Sequence, residues 1–573
     1  MTANAPIVAR SFVPAQTDPT QFEQIEPLYK QLLDRPLETR AEIERFLADF
    51  SELSAVVEEQ GTRLYIDKSC HTDDAEIERR YLHFVESVEP RTKPLYFQLQ
   101  KKLLESPAVL QLNDPRLAIL LRNWRPDVEL FREENVPLET EATKLVNEYD
   151  KINGAMTVEF DGKERTMQQM ARYQEQVDRD LRQRAWEITV DRRLKDREPI
   201  DDIFDKLLGL RQQMATNAGM GDYRALVWKA YKRFDYTPEQ CLAFADAIAD
   251  TCVPLVKRLD ALRKRDLRID RLRPWDTAVD PHNRPPLEPF KEDQTQAFVE
   301  KTRLIFERLS PDLARDFESL RTNRNLDLES RKGKQPGGYQ AQLEEARQPF
   351  IFMNAAGLQR DVETLLHEGG HAFHFLAASA NEPLVFLRSA PMEFSEVASM
   401  SMELLGGEHL DVFYSEADSA RARRTLYEGI IRILPWIATI DVFQHWLYTN
   451  PGHTREQRTR EWLEILNRFG GDVNWSGYET YRQAMWQRQL HLFHVPFYYV
   501  EYGIAQLGAL QLWLKAREDP RRALANYRAA LKLGGTRPLP ELFAAAGIRF
   551  DFSQQTLRPL IEALEEELAN LPA

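Results

Sequence analysis

Residues Asp361 to Leu376 read DVETLLHEGGHAFHFL. Val362, Leu365, Leu366, Gly369, Ala372, Phe373 and Leu376 recur at steps of three and four, the period of one helix face. The segment predicts a helix with that face in the core. His367, Glu368, His371, His374 and Phe375 lie on the adjacent stripe. His367 and His371 stand four apart, so their imidazoles project together from successive turns. Both can then reach one Zn²⁺ at about 2.0–2.1 Å. In this H-E-x-x-H pattern the glutamate, Glu368, lies about 100° around the helix from His367, near the ion without ligating it, as a general base must. Gly369 and Gly370 each cost a helix about 1 kcal/mol relative to Ala. They predict the close approach of another backbone, the substrate's being one choice. His374, one turn past His371, predicts packing.

A catalytic zinc keeps three protein ligands, so a third must come from elsewhere. Ser389 to Gly407, SAPMEFSEVASMSMELLGG, predicts a second helix with Pro391 near its start and Gly406-Gly407 at its end. Its candidate carboxylates are Glu393, Glu396, Glu403 and Glu408, and spacing does not choose between them. A carboxylate ligand makes a two-His, one-Glu site with one Zn²⁺ per chain.

A period near 3.6 extends over most of the 573 residues. Glu76 to Leu104 and Thr166 to Leu194 are charged, amphipathic stretches that predict long helices. Strand signals are few, so the fold class is mostly α. Met156 to Phe160 alternates, Asp161-Gly162 supplies a turn and Lys163 to Met167 returns, which predicts a β-hairpin. Pro349 to Met353 is a short apolar run that predicts a strand. Arg273 to Phe290 holds five prolines and reads as a loop. Lys332 to Gly338, KGKQPGG, is irregular and lacks the spacing of a phosphate loop.

Apolar residues make up 43% of the chain and charged ones 29%, which suits a soluble globular protein. Lys and Arg number 76 against 90 Asp and Glu, a net charge of −14. That balance argues against a nucleic-acid partner, because phosphate binding needs clustered cations. Cys70, Cys241 and Cys252 have no paired spacing and read as buried thiols of a reducing compartment. The first thirty residues show no apolar leader. Ile430 to Ile440, the most apolar stretch, is interrupted by Arg432 and Pro435 and is shorter than the roughly twenty residues a membrane span needs. A cytoplasmic protein without a membrane partner is expected.

A second constellation spans His491 to Tyr502, HLFHVPFYYVEY. A phenol with a pKa of about 10 keeps its proton at neutral pH and can donate to the oxyanion of a tetrahedral intermediate. Tyr502 and Tyr499, three apart, rank first as catalytic donors, followed by His494; His491 and Tyr498 rank as substrate contacts. Phe443-Gln444-His445-Trp446, on an apolar helix, reads as packing or as support behind a site.

These residues resemble a known family. The run PFIFMN…DVETLLHEGGHAFH…MEFSEVASMSMELL, from Pro349 to Leu405, is similar to the oligoendopeptidase F branch of the thimet oligopeptidase family of zinc metallopeptidases. The similarity extends from RNWRPDVELF at Arg122 to the His491–Tyr502 segment. In that family a glutamate 25 residues past the second histidine is the third ligand, and here that position is Glu396. The resemblance thus selects Glu396. It implies a two-lobed helical zincin-type fold with a deep channel, and cleavage of short peptides rather than folded proteins. It also implies that Phe350 to Met353 is an edge strand that pairs with an extended substrate, with Phe352 and Met353 as substrate contacts, as β-addition predicts.

The expected division is residues 1–195 as a helical region forming part of the channel wall, and 196–573 as the catalytic region, together one functional unit. The expected activity is hydrolysis of internal bonds in short unstructured peptides by activated water. His367, His371 and Glu396 hold Zn²⁺ and Glu368 is the base. Two alternatives share the motif. A zinc metallocarboxypeptidase would need the terminal carboxylate of its substrate, and a non-catalytic peptide-binding zinc protein would have no use for Glu368.

Overall fold

The computed structural model describes residues 10–291, 294–331, 333–335 and 337–572. Residues 1–9 of the N-terminal stretch, and Lys332 and Pro336 of the KGKQPGG segment, lie outside the described residues. The chain is mostly helical, as its periodicity predicts. The elements that position the site are α1 (Arg40–Cys70), α2 (Asn135–Gly154), α3 (Arg197–Asn217), α4 (Gln359–Asn381) and α5 (Met392–Gly407). They are followed by α6 (Glu416–Thr449), the short α7 (Leu490–His494) and α8 (Val500–Glu518).

Apolar side chains form two main cores. The first holds Val13, Phe46, Phe50, Leu99, Trp124 and their neighbours around α1. The second begins at Leu145 and runs to Leu571, taking in α3 to α8. Apart from Leu387, the first core's buried residues end at Trp124 and the second's begin at Leu145. The link between α4 and α5 joins the two cores. Leu387 is buried in the first core, and the Phe386 ring meets Phe50 at 4.8 Å and Trp124 at 5.0 Å.

Two long helices expected from periodicity are broken. Ala75–His83 and Glu89–Glu105 are helical, but a π-turn at Phe84–Val88 separates them, with Pro90 and Pro94 just beyond. A proline lacks the N–H that a helix interior needs. The second stretch stops after Arg172–Glu175 and restarts at Arg179–Leu194, because the Asp178 carboxylate accepts the Leu181 N–H and begins a new helix.

The predicted hairpin forms from β1 (Thr157–Phe160) and β2 (Lys163–Thr166), antiparallel with Phe160 opposite Lys163. Asp161 and Gly162 both have positive φ, 54° and 68°, which is the turn that matches strand twist. The other sheet holds β3 (Leu326–Glu329), β4 (Tyr339–Leu343) and β5 (Gln348–Ala355) in the order β3-β5-β4. This corrects the edge-strand expectation. β5 is central, with Phe352 paired to Asp327 of β3 on one side and to Tyr339 of β4 on the other. Phe352 and Met353 are buried, so their side chains are core and not peptide contacts. The edges belong to β3 and β4. Among the described residues no helix is long and apolar enough to cross a membrane.

Candidate metal centre

The metal-binding stripe is set by how α4 enters the core. The Asp361 carboxylate accepts the Ala356 and Leu358 amides at 2.8 and 2.9 Å and so fixes the helix start. Val362, Leu365, Leu366, Ala372 and Phe373 are then buried, as predicted, and the histidine stripe turns toward α5. A Cβ at Gly370 would lie 2.5 Å from the Ala398 carbonyl oxygen and 2.6 Å from Ser399 Cα. The backbone that Gly370 admits is therefore α5, not a substrate. At Gly369 the neighbour is the Phe306 ring, 2.8 Å from such a Cβ. Glycine here lets two helices close to a distance at which a short carboxylate can span between them.

The four candidate glutamates meet four different environments. Glu393 accepts the Tyr236 hydroxyl at 2.6 Å, in the core. Glu408 accepts Trp513 and Tyr427, each at 2.9 Å. Glu396 Oε2 lies 3.4 Å from His367 Nε2 and 3.6 Å from His371 Nε2. Glu403, two turns further along α5, accepts His367 Nδ1 at 2.6 Å. A carboxylate acceptor keeps the proton on Nδ1, so Nε2, which faces Glu396, is the nitrogen that would give up its proton to ligate. Sequence reasoning listed Glu403 only as a rival ligand. The usable signal was its spacing of seven from Glu396, which puts both on one helix face.

His367, His371 and Glu396 offer ligand atoms within 4.8 Å of one another, the only such group among the described residues. A tetrahedral zinc at about 2.0–2.2 Å from its ligands spaces them by about 3.3–3.6 Å. The two Nε2–Oε2 separations meet that requirement, and two imidazoles with one carboxylate are a zinc donor set. The residues present therefore fit the ion.

Burial opposes the His367 cation, but the hydrogen bond and charge of Glu403, then the charges of Glu396 and Glu368, lift it to about 10. Burial pushes His371 down to about 4. Glu368 is buried, and this raises its carboxyl to about 7, against the pull of His367. The main chain of Gln340, on β4, lies beside that carboxylate and favours its charged form. The sheet edge therefore borders the base. His374 packs edge-on against Phe394 at 5.9 Å, as the packing expectation has it, and burial holds it neutral at about 3.

Opposite Glu396 stands the segment joining α7 to α8. The Tyr498 hydroxyl donates to Glu396 Oε1 at 3.1 Å. The Tyr502 ring meets Tyr498 at 5.3 Å and His491 at 5.8 Å. Gln489 Nε2 contacts His491 Nδ1 at 2.7 Å. Burial lowers His491 to about 4, so its ring is neutral and Nε2 carries the proton. The Tyr499 ring packs against His491 at 4.8 Å and Tyr502 at 5.4 Å. His494 Nε2 pairs with Asp150 of α2 at 2.8 Å. Tyr498, expected from sequence as a substrate contact, is the tyrosine whose hydroxyl bonds Glu396, with Tyr502, His491 and Tyr499 clustered behind it and His494 on Asp150.

Comparison with known proteins gives concordant matches. The model of peptidase family M3 matches residues 172–561, and that of the peptidase M3 N-terminal domain matches residues 12–131. Oligopeptidase PepF of Bacillus subtilis is 24% identical over 327 residues, 55% of this chain and 46% of that protein. The matched stretch thus spans about half of that relative's length. An oligoendopeptidase F homolog of Mycoplasma pneumoniae is 22% identical over 92% of this chain and 91% of its own. Among solved structures, PZ peptidase A with an inhibitor superposes with a TM-score of 0.91 at 26% identity, covering 98% of this chain and 99% of that one.

Proposed function

The chain belongs to peptidase family M3, in its oligoendopeptidase F branch, and on that premise we propose that it is a zinc-dependent endopeptidase acting on short, unstructured peptides. One observation carries the reading: three ligand atoms converge beside a buried carboxylate, Glu368, that is not among them. His367, His371 and Glu396 would hold the ion. When bound, Zn²⁺ supplies positive charge that makes water acidic near neutral pH and polarises the scissile carbonyl.

The chain's own groups do the rest. Glu368 accepts the proton of the attacking water and returns it to the leaving amine. A carboxyl raised to about 7 is suited to both transfers. Tyr498 and Tyr502 donate to the oxyanion. Burial raises both phenols above their ordinary range, so both stay protonated. The neutral His491 adds a third donor from its Nε2. The outer edge of β4 pairs with the extended peptide and lays the scissile bond beside Glu368. Three buried free thiols support a reducing, cytoplasmic setting.

Mass spectrometry of synthetic peptides with free and amidated C-termini tests the proposal. Internal cleavage of both forms, abolished by a chelator and restored by Zn²⁺, is expected. The Glu368→Gln variant should lose about 10⁴-fold in kcat with its zinc retained, since an amide cannot serve as the base. Cleavage restricted to free C-termini would identify a carboxypeptidase. Bound zinc with no cleavage would leave a binding protein.

A further inference from the structure

Phe497 has a positive φ, +66°, although it is bulky and carries a Cβ. Such residues avoid the left-handed region unless their surroundings over-determine it. Here both peptide groups of Phe497 are gripped by distant side chains. Its N–H donates to Gln444 Oε1 of α6 at 2.6 Å. Its carbonyl accepts Arg233 Nη2 at 2.5 Å, and the same nitrogen pairs with Glu501 Oε1 of α8 at 2.6 Å. The ring is fully buried against Trp228, His445 and Tyr448 at 5.3–5.9 Å. Just upstream, Arg211 of α3 holds the Leu492 and Phe493 carbonyls.

Arg233 is stacked over Trp228 at 4.5 Å and paired with Glu501, but Gln444 is buried at a cost that packing does not explain. Gln444 is completely buried, and its Nε2 has no hydrogen-bond partner among the described residues. The same is true of Arg233 Nε and Nη1. Methionine would fill the Gln444 site without leaving a donor unpaired. What glutamine adds is one acceptor, aimed at Phe497. The Phe497 carbonyl belongs to the peptide that leads into Tyr498, so its orientation sets where the phenol points.

We propose that Gln444 and Arg233 are positioning residues for Tyr498: they lock Phe497 in the left-handed conformation that aims the Tyr498 hydroxyl at Glu396. This rests on the peptidase reading, in which Tyr498 serves the oxyanion. Neither residue reaches the substrate. Their loss should therefore lower turnover through Tyr498 while leaving substrate and metal binding intact.

A double-mutant cycle tests this. Gln444→Met should lower kcat by about tenfold or more with KM within about twofold and zinc content unchanged. In a Tyr498→Phe background the same change should lower kcat no more than about twofold further. A crystal structure of Gln444→Met should show Phe497 released from positive φ and Tyr498 moved off Glu396. Phe497→Val, whose branched Cβ is incompatible with the left-handed region, carries the same expectations if Gln444→Met does not fold. An unchanged kcat overturns the proposal, and so does an equal loss in both backgrounds. Retention of the Tyr498–Glu396 bond in the crystal structure of the variant also overturns it. If the unmutated chain cleaves no peptide, the functional reading fails on its own, and the crystal structure still decides whether Gln444 aims Tyr498.

Discussion

The two walls of the site are built on opposite plans. The wall formed by α4 and α5 is regular helix, and its side chains sit where the helical period puts them. The two helices meet through Gly370, so Glu396 arrives at the imidazoles by close backbone contact. The facing wall, from α7 to α8, is a five-residue helix followed by an irregular bend. Its backbone is gripped by Arg211, Arg233 and Gln444, which are remote in sequence. On the proposed reading the first wall organises metal and the second organises donors. Damage to the first should lose the ion, and damage to the second should lose rate with the ion in place.

Gly370→Ala strikes the first wall hardest. Its new Cβ meets α5 backbone, which cannot rotate away, so overpacking of about 3 kcal/mol and a large loss of zinc are expected. Thermal unfolding and metal analysis of the purified variant would register both; wild-type stability with full zinc would contradict the close-approach account. Tyr498→Phe probes the second wall. A fall of about 10²-fold in kcat is expected, as for a lost oxyanion donor. Steady-state kinetics on zinc-loaded enzyme would measure it, and a lowered zinc content would blur the distinction between the walls.

Glu403→Ala returns to the first wall at one remove. His367 loses the acceptor that fixes its tautomer, and zinc affinity should drop about 10–100-fold. Competition with a chromophoric chelator reads this directly, and unchanged affinity would show that Glu403 does not orient the ring. Glu393→Gln should do least. It keeps an acceptor oxygen for Tyr236, so kcat/KM should stay within about threefold, which is a free-energy change of about 0.65 kcal/mol. A loss comparable to that of a metal ligand would mean that Glu393, not Glu396, serves the ion.

Legibility follows the same division. The α4 face, the hairpin turn at Asp161-Gly162 and the second helix ending at Gly407 were readable, because each depends on neighbours within a few residues. The unbroken helix expected over 76–104 was not found, since Pro90, Pro94 and a π-turn interrupt it. The edge strand expected at Phe352 was misplaced, because an apolar run does not reveal how many partners flank it; two did. The step of three from Tyr499 to Tyr502 holds in the helix start, but it says nothing of Tyr498, whose direction is set ahead of the helix, next to the left-handed Phe497.

By itself the sequence determined that two imidazoles and a carboxylate base share one stripe of one helix, since a fixed 3.6-residue period leaves them no other arrangement. Which of four glutamates completes the metal centre could not be read from spacing alone; the family resemblance singled out Glu396. The tertiary structure decided where each of the four lies, which one orients His367, and which tyrosine faces the site. Those choices depend on how closely α4 and α5 approach and on side chains from other helices that grip the bend, and neither is encoded in local period.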